Sequence, residues 1–258
     1  MQSVWSFSPR LLPALGLFLC ACTEANLLGD ESLLDLSGGS TAELGSVLPD
    51  AFGLDLEHRD GALSDAATGS DCPLGMVALT GFCMDRLEAP NQAGMPPLAM
   101  RTAKDGVDWC AARGKRLCTE AEWVRACQGS TGLPYPYGRN YQKGRCVDDK
   151  IWKVPDWTVL GTWPSAAAQS EAARLYQAEP SGARRDCISS DGVQDLTGNV
   201  AEWVVRSFPN ANNYDHVMKG CYWAGCYGGS PPSCSFVNPA HPGTFRTYEA
   251  GFRCCLTR

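Results

Sequence analysis

Cysteine is the residue type that most constrains how this chain can fold. The sequence has 14 cysteines in 258 residues, and twelve of them lie in residues 72–258. An even number in an exported chain indicates a disulfide framework. Zinc is disfavoured, since the region has no C-x-x-C pair and its two histidines, His216 and His241, are dispersed. Each bridge in such a glycine- and proline-rich region would contribute roughly 2–4 kcal/mol.

The N-terminus indicates export. Residues 11–20 form a leucine-rich apolar run that is too short to span a bilayer, which is typical of a secretory signal over residues 1–21. The run ends at Leu19-Cys20-Ala21-Cys22, which resembles a bacterial lipobox with Cys22 as the lipidated first residue. Cleavage near Ala21 to give a soluble secreted protein is the alternative. We expect a lipid-anchored protein on the periplasmic or cell-surface face of a bacterial membrane. The outer membrane is favoured because Thr23, and not aspartate, follows Cys22.

Residues 22–71 have the composition of a disordered acidic tether. They contain eleven acidic residues and one basic residue, and they lack tryptophan and tyrosine. Such a segment buries too little apolar surface to offset the entropy of ordering. Residues 72–258 instead contain 20 Lys+Arg and 17 Asp+Glu. This near-neutral balance, without a basic stripe, excludes nucleic acid as an expected partner.

Local patterns predict short elements in residues 72–258. Residues 76–88 read as a hairpin that turns at Gly81. Apolar spacing predicts one helix over residues 102–112, and a capping box formed by Thr119 and Glu122 predicts the start of a second. A short helix is possible near residues 166–176. Residues 195–203 are expected to form a turn that enters a short strand including Val204 and Val205, and two further strands are expected over residues 217–222 and 251–255. The apolar helix positions expected to face the core are Ala103, Val107, Cys110 and Ala111 in the first helix, and Trp123, Val124 and Cys127 in the second.

Several blocks, in order, resemble the formylglycine-generating-enzyme or sulfatase-modifying-factor domain family. The blocks are Gly75-Met-Val77, Asp85-Arg-Leu-Glu88, Trp109-Cys-Ala-Ala-Arg-Gly-Lys-Arg-Leu-Cys-Thr-Glu-Ala-Glu-Trp123, Tyr135-Pro-Tyr-Gly138, Asp191-Gly-Val-Gln-Asp-Leu-Thr-Gly-Asn-Val-Ala-Glu-Trp203 and Gly251-Phe-Arg-Cys254. The resemblance covers nearly all of residues 72–258. It implies an α+β fold, a loop-rich variant of the C-type-lectin-like fold with short antiparallel strands, two helices and several disulfides.

The resemblance also implies disulfide pairs. The family's pattern carries over to Cys110 with Cys254 and to Cys127 with Cys234. Parity and proximity then suggest the other four pairs, which are Cys118–Cys255, Cys146–Cys187, Cys221–Cys226 and Cys72–Cys83.

Active members of the family resemble copper-dependent oxidases that convert a protein cysteine to formylglycine, with Cu(I) held by two cysteines that have four residues between them. Cys221 and Cys226 have that spacing, so the resemblance makes them the candidate catalytic and copper-binding pair. The family expects Gly-Gly-Ser-aromatic before the first cysteine, but Cys221 directly follows Gly220. If Cys226 is taken as the first cysteine instead, its partner position holds Pro231. The arginines that accompany the family's second cysteine are also missing. A structural disulfide is the competing interpretation.

The resemblance implies calcium at residues 198–202. Gly198 and Val200 would offer carbonyls and Glu202 a carboxylate, with Asn199 nearby. The alternative is that Gly198 and Asn199 shape a turn.

We therefore expect a non-catalytic binding or structural module, with calcium as its possible cofactor. The alternative is a copper-dependent oxidase acting on a protein cysteine or another thiol. The expected partners are the membrane, through the lipid anchor, and a protein, peptide or glycan ligand. Aromatic side chains that would line a groove for such a ligand are Tyr135, Tyr137, Tyr222, Trp223 and Tyr227.

Overall fold

The computed structural model describes residues 72–258. The predicted signal segment, the lipidation site Cys22 and the acidic tether all lie outside the described residues. Within residues 72–258, no helix is long and apolar enough to cross a membrane.

The described residues form a mixed α+β domain with four α-helices and eight strands. The helices are α1 (Ala103–Ala111), α2 (Glu120–Gln128), α3 (Trp157–Leu160) and α4 (Ala166–Leu175). The strands are β1 (Met76–Leu79), β2 (Phe82–Asp85), β3 (Arg116–Leu117), β4 (Ala201–Val205), β5 (His216–Lys219), β6 (Val237–Asn238), β7 (Ala250–Phe252) and β8 (Cys254–Thr257). The expected fold class is confirmed. Helix α4 corresponds to the short helix expected near residues 166–176, and α3 adds to the expected helices.

The strands make two four-stranded sheets, with orders β1-β2-β8-β3 and β6-β5-β4-β7. The predicted hairpin is present: β1 and β2 pair antiparallel, and Gly81 turns the chain with a φ of 85°. Every pair of adjacent strands in the two sheets is antiparallel except β4 with β7. Strand β5 ends at Lys219, because Gly220 and Cys221 take positive φ angles of 85° and 62° that no strand accommodates.

The C-terminal strand differs from the prediction. We expected one strand over residues 251–255, but the structure has β7 in one sheet and β8 in the other, with Arg253 between them. The Arg253 side chain is fully buried and binds the carboxylate of Glu202 on β4. The junction between the two sheets is therefore organised around a buried charge pair.

The helix predictions hold, with three corrections on packing, one of which is that Ala111, predicted to face the core, is exposed. Thr102 and Thr119 cap α1 and α2, each through a complete capping box. Val107 was predicted to face the core but is 39% exposed. Gly106 takes the inward position, since a Cβ there would lie 2.9 Å from the Phe252 ring. Val124 is only half-buried, whereas Trp123 and Cys127 are fully buried.

Six disulfides cross-link the domain, and all six are the pairs expected from the sequence. Cys110–Cys254 ties α1 to β8, and Cys127–Cys234 ties α2 to a loop more than 100 residues later. Long closed loops of this kind restrict the unfolded chain most strongly. Irregular segments between the elements are thereby held against the two sheets.

Candidate functional site

The candidate copper pair lies in a tight loop directly after β5. Cys221 and Cys226 are joined as a disulfide, with Cα atoms 4.9 Å apart. Tyr222 and Gly225 close the loop through reciprocal backbone hydrogen bonds of 2.8 and 3.4 Å. Cys221 is buried, while Cys226 is partly exposed. In this state both sulfurs are bonded to each other, so neither is a thiolate.

Aromatic rings pack around this loop. Tyr222 contacts Tyr227 and Tyr248, with ring centroids 5.7 and 6.3 Å apart. Trp157, on α3, continues the cluster at 5.9 Å from Tyr248 and 6.4 Å from Phe245. The cluster thus joins the disulfide loop to α3 and to the segment before β7.

A cavity of about 790 Å³ opens against this cluster. Its walls are mostly apolar, and we call it the aromatic cavity. It is lined by Trp157, Leu160, Gly161, Trp163, Tyr227, Asn238, His241, Phe245, Arg246 and Glu249. Because Tyr227 follows Cys226 directly, the disulfide loop supplies one wall of this cavity.

Glu249 is the acidic group of the aromatic cavity. Its side chain is 2% exposed, and the Tyr227 hydroxyl donates a hydrogen bond to Oε1. Oε2 is buried and has no hydrogen-bond partner among the described residues. Burial raises the pKa of Glu249, although nearby hydroxyls of Tyr227, Thr247 and Tyr248 act in the opposite direction. Oε2 therefore lacks a well-aligned donor among these residues, while the hydroxyls around the carboxylate offset part of the cost of its burial.

The other charged group of the cavity is already matched. Arg246 pairs with Asp105 at 2.7 Å and donates to the Met100 carbonyl at 2.6 Å. Its guanidinium also lies 5.8 Å from the Trp163 ring. His241 stacks on Phe245 at 3.8 Å, and burial lowers the pKa of this histidine. Burial therefore disfavours a positive charge on His241, and Glu249 is the charged group of the cavity without a cationic partner among the residues described.

The side chains expected to bind calcium are occupied by protein partners. Both carboxylate oxygens of Glu202 accept from Arg253 at 2.7 Å, and Trp123 Nε1 donates a further bond at 3.0 Å. The Asn199 amide bridges Glu88 and the backbone of Glu179. These two side chains therefore do not fit a calcium site in this arrangement. Among residues 72–258, no cluster of three or more His, Cys, Asp or Glu side chains is arranged to hold a metal ion.

The backbone of the same loop has a packing role. A Cβ on Gly198 would lie 2.4 Å from the Val147 carbonyl oxygen, and Gly198 has a φ of 79°. Asn199 N donates to that same carbonyl at 2.7 Å. Glycine is therefore required here by close approach and by conformation. The carbonyls of Gly198 and Val200 remain a predicted, untested part of a calcium site.

Two further buried carboxyls adjoin Arg253. Burial, with the nearby Asp195 charge, raises the pKa of Glu88 to about 8. Burial also raises the pKa of Asp195 to about 6. The Arg253 charge opposes both shifts, and its guanidinium also pairs with Glu202. All four residues of this cluster are at most 2% exposed, so water screens their charges little.

The sequence predicts the disulfide loop but not most of the residues that line the cavity. Of the predicted groove aromatics, only Tyr227 lines it; Tyr222 and Trp223 are buried behind it. Tyr135 and Tyr137 stack on each other and are not among its lining residues. Trp157, Phe245 and Glu249 carry no motif and are distant in sequence from the cysteine pair. Only the tertiary fold brings them together.

The two-sheet α+β domain, its disulfide pattern and the cysteine pair beside a cavity define a formylglycine-generating-enzyme-like class of protein. Residues 58–258 match the sulfatase-modifying factor enzyme 1-like domain, and the chain belongs to this family.

Relatives in the family include a protein named as inactive and another named as a formylglycine-generating enzyme. The chain is 29% identical to the bovine (Bos taurus) inactive C-alpha-formylglycine-generating enzyme 2 over 161 residues, which are 61% of this chain and 49% of that protein. It is 26% identical to the Mycobacterium tuberculosis formylglycine-generating enzyme over 131 residues, 51% of this chain and 40% of that protein. The chain thus spans about half the length or less of these relatives.

Two solved structures that match this chain are CarF and, from Pseudomonas aeruginosa, PvdO. CarF has a TM-score of 0.47 at 14% identity, covering 69% of this chain and 86% of its own. PvdO has a TM-score of 0.43 at 19% identity, and the match covers 73% of this chain and 70% of the PvdO chain.

Proposed function

We propose that this chain is a non-catalytic member of its family that binds a ligand in the aromatic cavity. The observation that carries the proposal is the Cys221–Cys226 disulfide, which leaves no thiolate beside the cavity. The segment that follows contains Gly228, Gly229 and Pro231 where the family's arginines would stand. It therefore lacks the charge with which an active member would hold a substrate peptide. Similarity to a relative named inactive agrees with this proposal.

The proposed setting is outside the cytoplasm. Six disulfides in residues 72–258 suit an oxidising compartment. The proposed lipid on Cys22 and the acidic tether would present the domain at the surface of a bacterial membrane. Calcium remains a proposed cofactor only through the loop carbonyls of Gly198 and Val200.

The second candidate function is a copper-dependent oxidase acting on a cysteine or another thiol. It is favoured by the five-residue separation of Cys221 and Cys226 and by their position at the cavity wall. Once reduced, these two side chains would hold Cu(I) as thiolates, and the metal would supply oxygen activation. The aromatic cavity would then position the substrate and exclude water.

A Cu(I) titration of the full chain after mild reduction distinguishes the two functions. The proposal predicts that the native chain presents no free thiol at Cys221 or Cys226, that Cu(I) binds weakly after reduction, and that thiol peptides are not oxidised in air. Tight binding abolished by Cys221→Ser and by Cys226→Ser, but retained when Cys72 and Cys83 are both changed to serine, would establish the oxidase instead. The Cys72–Cys83 pair is a suitable control because it bridges only the β1–β2 hairpin.

A further inference from the structure

The aromatic cavity has features of a site for an organic cation. Trp157, Tyr227 and Phe245 present ring surface to it, and Trp157 and Tyr227 are 50% and 51% exposed. The faces of such rings attract cations, most strongly weakly hydrated ones such as quaternary ammonium groups. The aromatic walls alone would equally suit a neutral apolar group, so the identity of the ligand depends on the charge of the cavity.

The charge of the cavity favours a cation. Glu249 is buried at the wall with Oε2 unpartnered, while the Arg246 charge is matched by Asp105. A buried carboxylate without a full set of partners attracts a positive ligand strongly, because little water screens it. An anionic ligand would face Glu249 with no free cation among the lining residues. Burial also raises the pKa of Glu249, and an arriving cation would favour its charged form.

We propose that the aromatic cavity binds a substituted ammonium group, held by the rings of Trp157, Tyr227 and Phe245 and by the Glu249 carboxylate. This inference rests on the proposed function, since it names the class of ligand that the cavity takes. A quaternary ammonium group suits the site better than a primary one. The lining residues include the rings of Trp157, Trp163, Tyr227 and Phe245, and a quaternary group needs no hydrogen-bond acceptor.

The position of the site also explains why the disulfide loop is closed. Tyr227 follows Cys226 directly and donates its hydroxyl hydrogen to Glu249. The Cys221–Cys226 bond therefore fixes the residue that supplies both a ring and a partner for the carboxylate. In a binding module, this bond has a positioning role in place of a catalytic one.

Titration of the full chain with choline, followed by tryptophan fluorescence, tests the proposal. The matched ligand control is 3,3-dimethylbutan-1-ol, which replaces the quaternary nitrogen of choline with carbon and so removes only the charge. Sodium chloride at equal ionic strength controls for screening. We expect choline to bind at least about ten-fold more tightly than the neutral alcohol. Glu249→Gln should weaken choline binding by about ten-fold and leave the affinity for the neutral alcohol unchanged.

Two further variants separate the site from the rest of the fold. Trp157→Leu removes a half-exposed ring and should weaken choline binding several-fold, whereas Phe208→Ala removes a comparably exposed ring away from the cavity and should not. Sedimentation with phosphatidylcholine vesicles shows whether a lipid headgroup is an acceptable source of the ammonium group. Equal binding of choline and the alcohol, or no choline binding by the native chain, overturns the proposal. Either result leaves the non-catalytic assignment to be judged by the Cu(I) titration.

Discussion

The buried pair formed by Arg253 and Glu202 provides the sharpest test of how this fold is held together. Arg253 Nε and Nη2 each lie 2.7 Å from a carboxylate oxygen of Glu202. The same guanidinium donates to the carbonyls of Asp85 and Arg86 at 3.2 Å and of Gln194 at 3.0 Å. Both side chains are at most 1% exposed. One arginine therefore satisfies a carboxylate and three backbone acceptors at the junction of the two sheets.

The Arg253→Met variant keeps most of the side-chain volume but removes every one of these donors. Breaking a buried ion pair by removing one partner costs about 3–5 kcal/mol, because the remaining charge is left uncompensated. Each buried carbonyl left unpaired costs about 1–3 kcal/mol when water cannot reach it. The cost of the broken ion pair and the costs of the unpaired carbonyls are not additive, because the surrounding structure relaxes once the guanidinium is gone. We therefore expect the free energy of unfolding to fall by about 4 kcal/mol or more.

Equilibrium urea unfolding under non-reducing conditions measures this change. Adding Glu202→Gln to Arg253→Met should recover at least about 1 kcal/mol, since it removes the stranded charge and leaves an acceptor for Trp123 Nε1. Lys104→Met, which breaks an exposed pair with Asp108, should cost no more than about 0.5 kcal/mol. A loss below about 1 kcal/mol for Arg253→Met, or no recovery in the double variant, would refute the reasoning.

Two further predictions concern the polar centre and the loop beside it. The pKa of Glu88 is raised to about 8, and the pKa of Asp195 is also raised. Below the unfolded-state pKa values of about 4, these two groups make their full contribution to the free energy of unfolding. That contribution is lost as the pH rises toward 8, because the buried groups must then ionise. Glu88→Gln should raise the urea midpoint at pH 8.5 and leave it unchanged at pH 4; an equal shift at both values would contradict the assignment. Gly198→Ala should lower the unfolding free energy by more than about 2 kcal/mol, since Cβ would clash with Val147, whereas Gly228→Ala, with a φ of 80° and no atom within 4 Å, should cost only about 1 kcal/mol. Equal losses for the two glycines would show that conformation, and not close approach, sets the requirement at Gly198.

The elements that sequence predicted correctly are those specified by neighbouring residues. Gly81 between two short apolar runs indicated the β1–β2 hairpin, and Thr119 with Glu122 indicated the start of α2. Both signals act within four residues, so they are independent of the rest of the fold. Val107 was misplaced for the opposite reason. The position facing the core on α1 is set by the space beside Phe252, which admits only Gly106.

The candidate site divides in the same way. The spacing of Cys221 and Cys226 is a local feature, and the family resemblance identified it. The role of Glu202 was not predicted. Its position in the motif suggested a metal ligand, but its carboxylate pairs with Arg253, which is 51 residues away in sequence. No local pattern records that pairing.

The sequence by itself determined the family, the disulfide framework and the capped helices. These features depend on short, specific motifs of residues that are close together in the chain. Only the tertiary structure decided that Glu249 is buried without a full set of partners, and that it lies with Trp157, Tyr227 and Phe245 at one cavity. Burial and electrostatic imbalance depend on everything that surrounds a group, and those surroundings come from segments up to about 90 residues apart. The chemistry of the cavity is therefore a property of the assembled fold, even where each of its residues is ordinary in sequence.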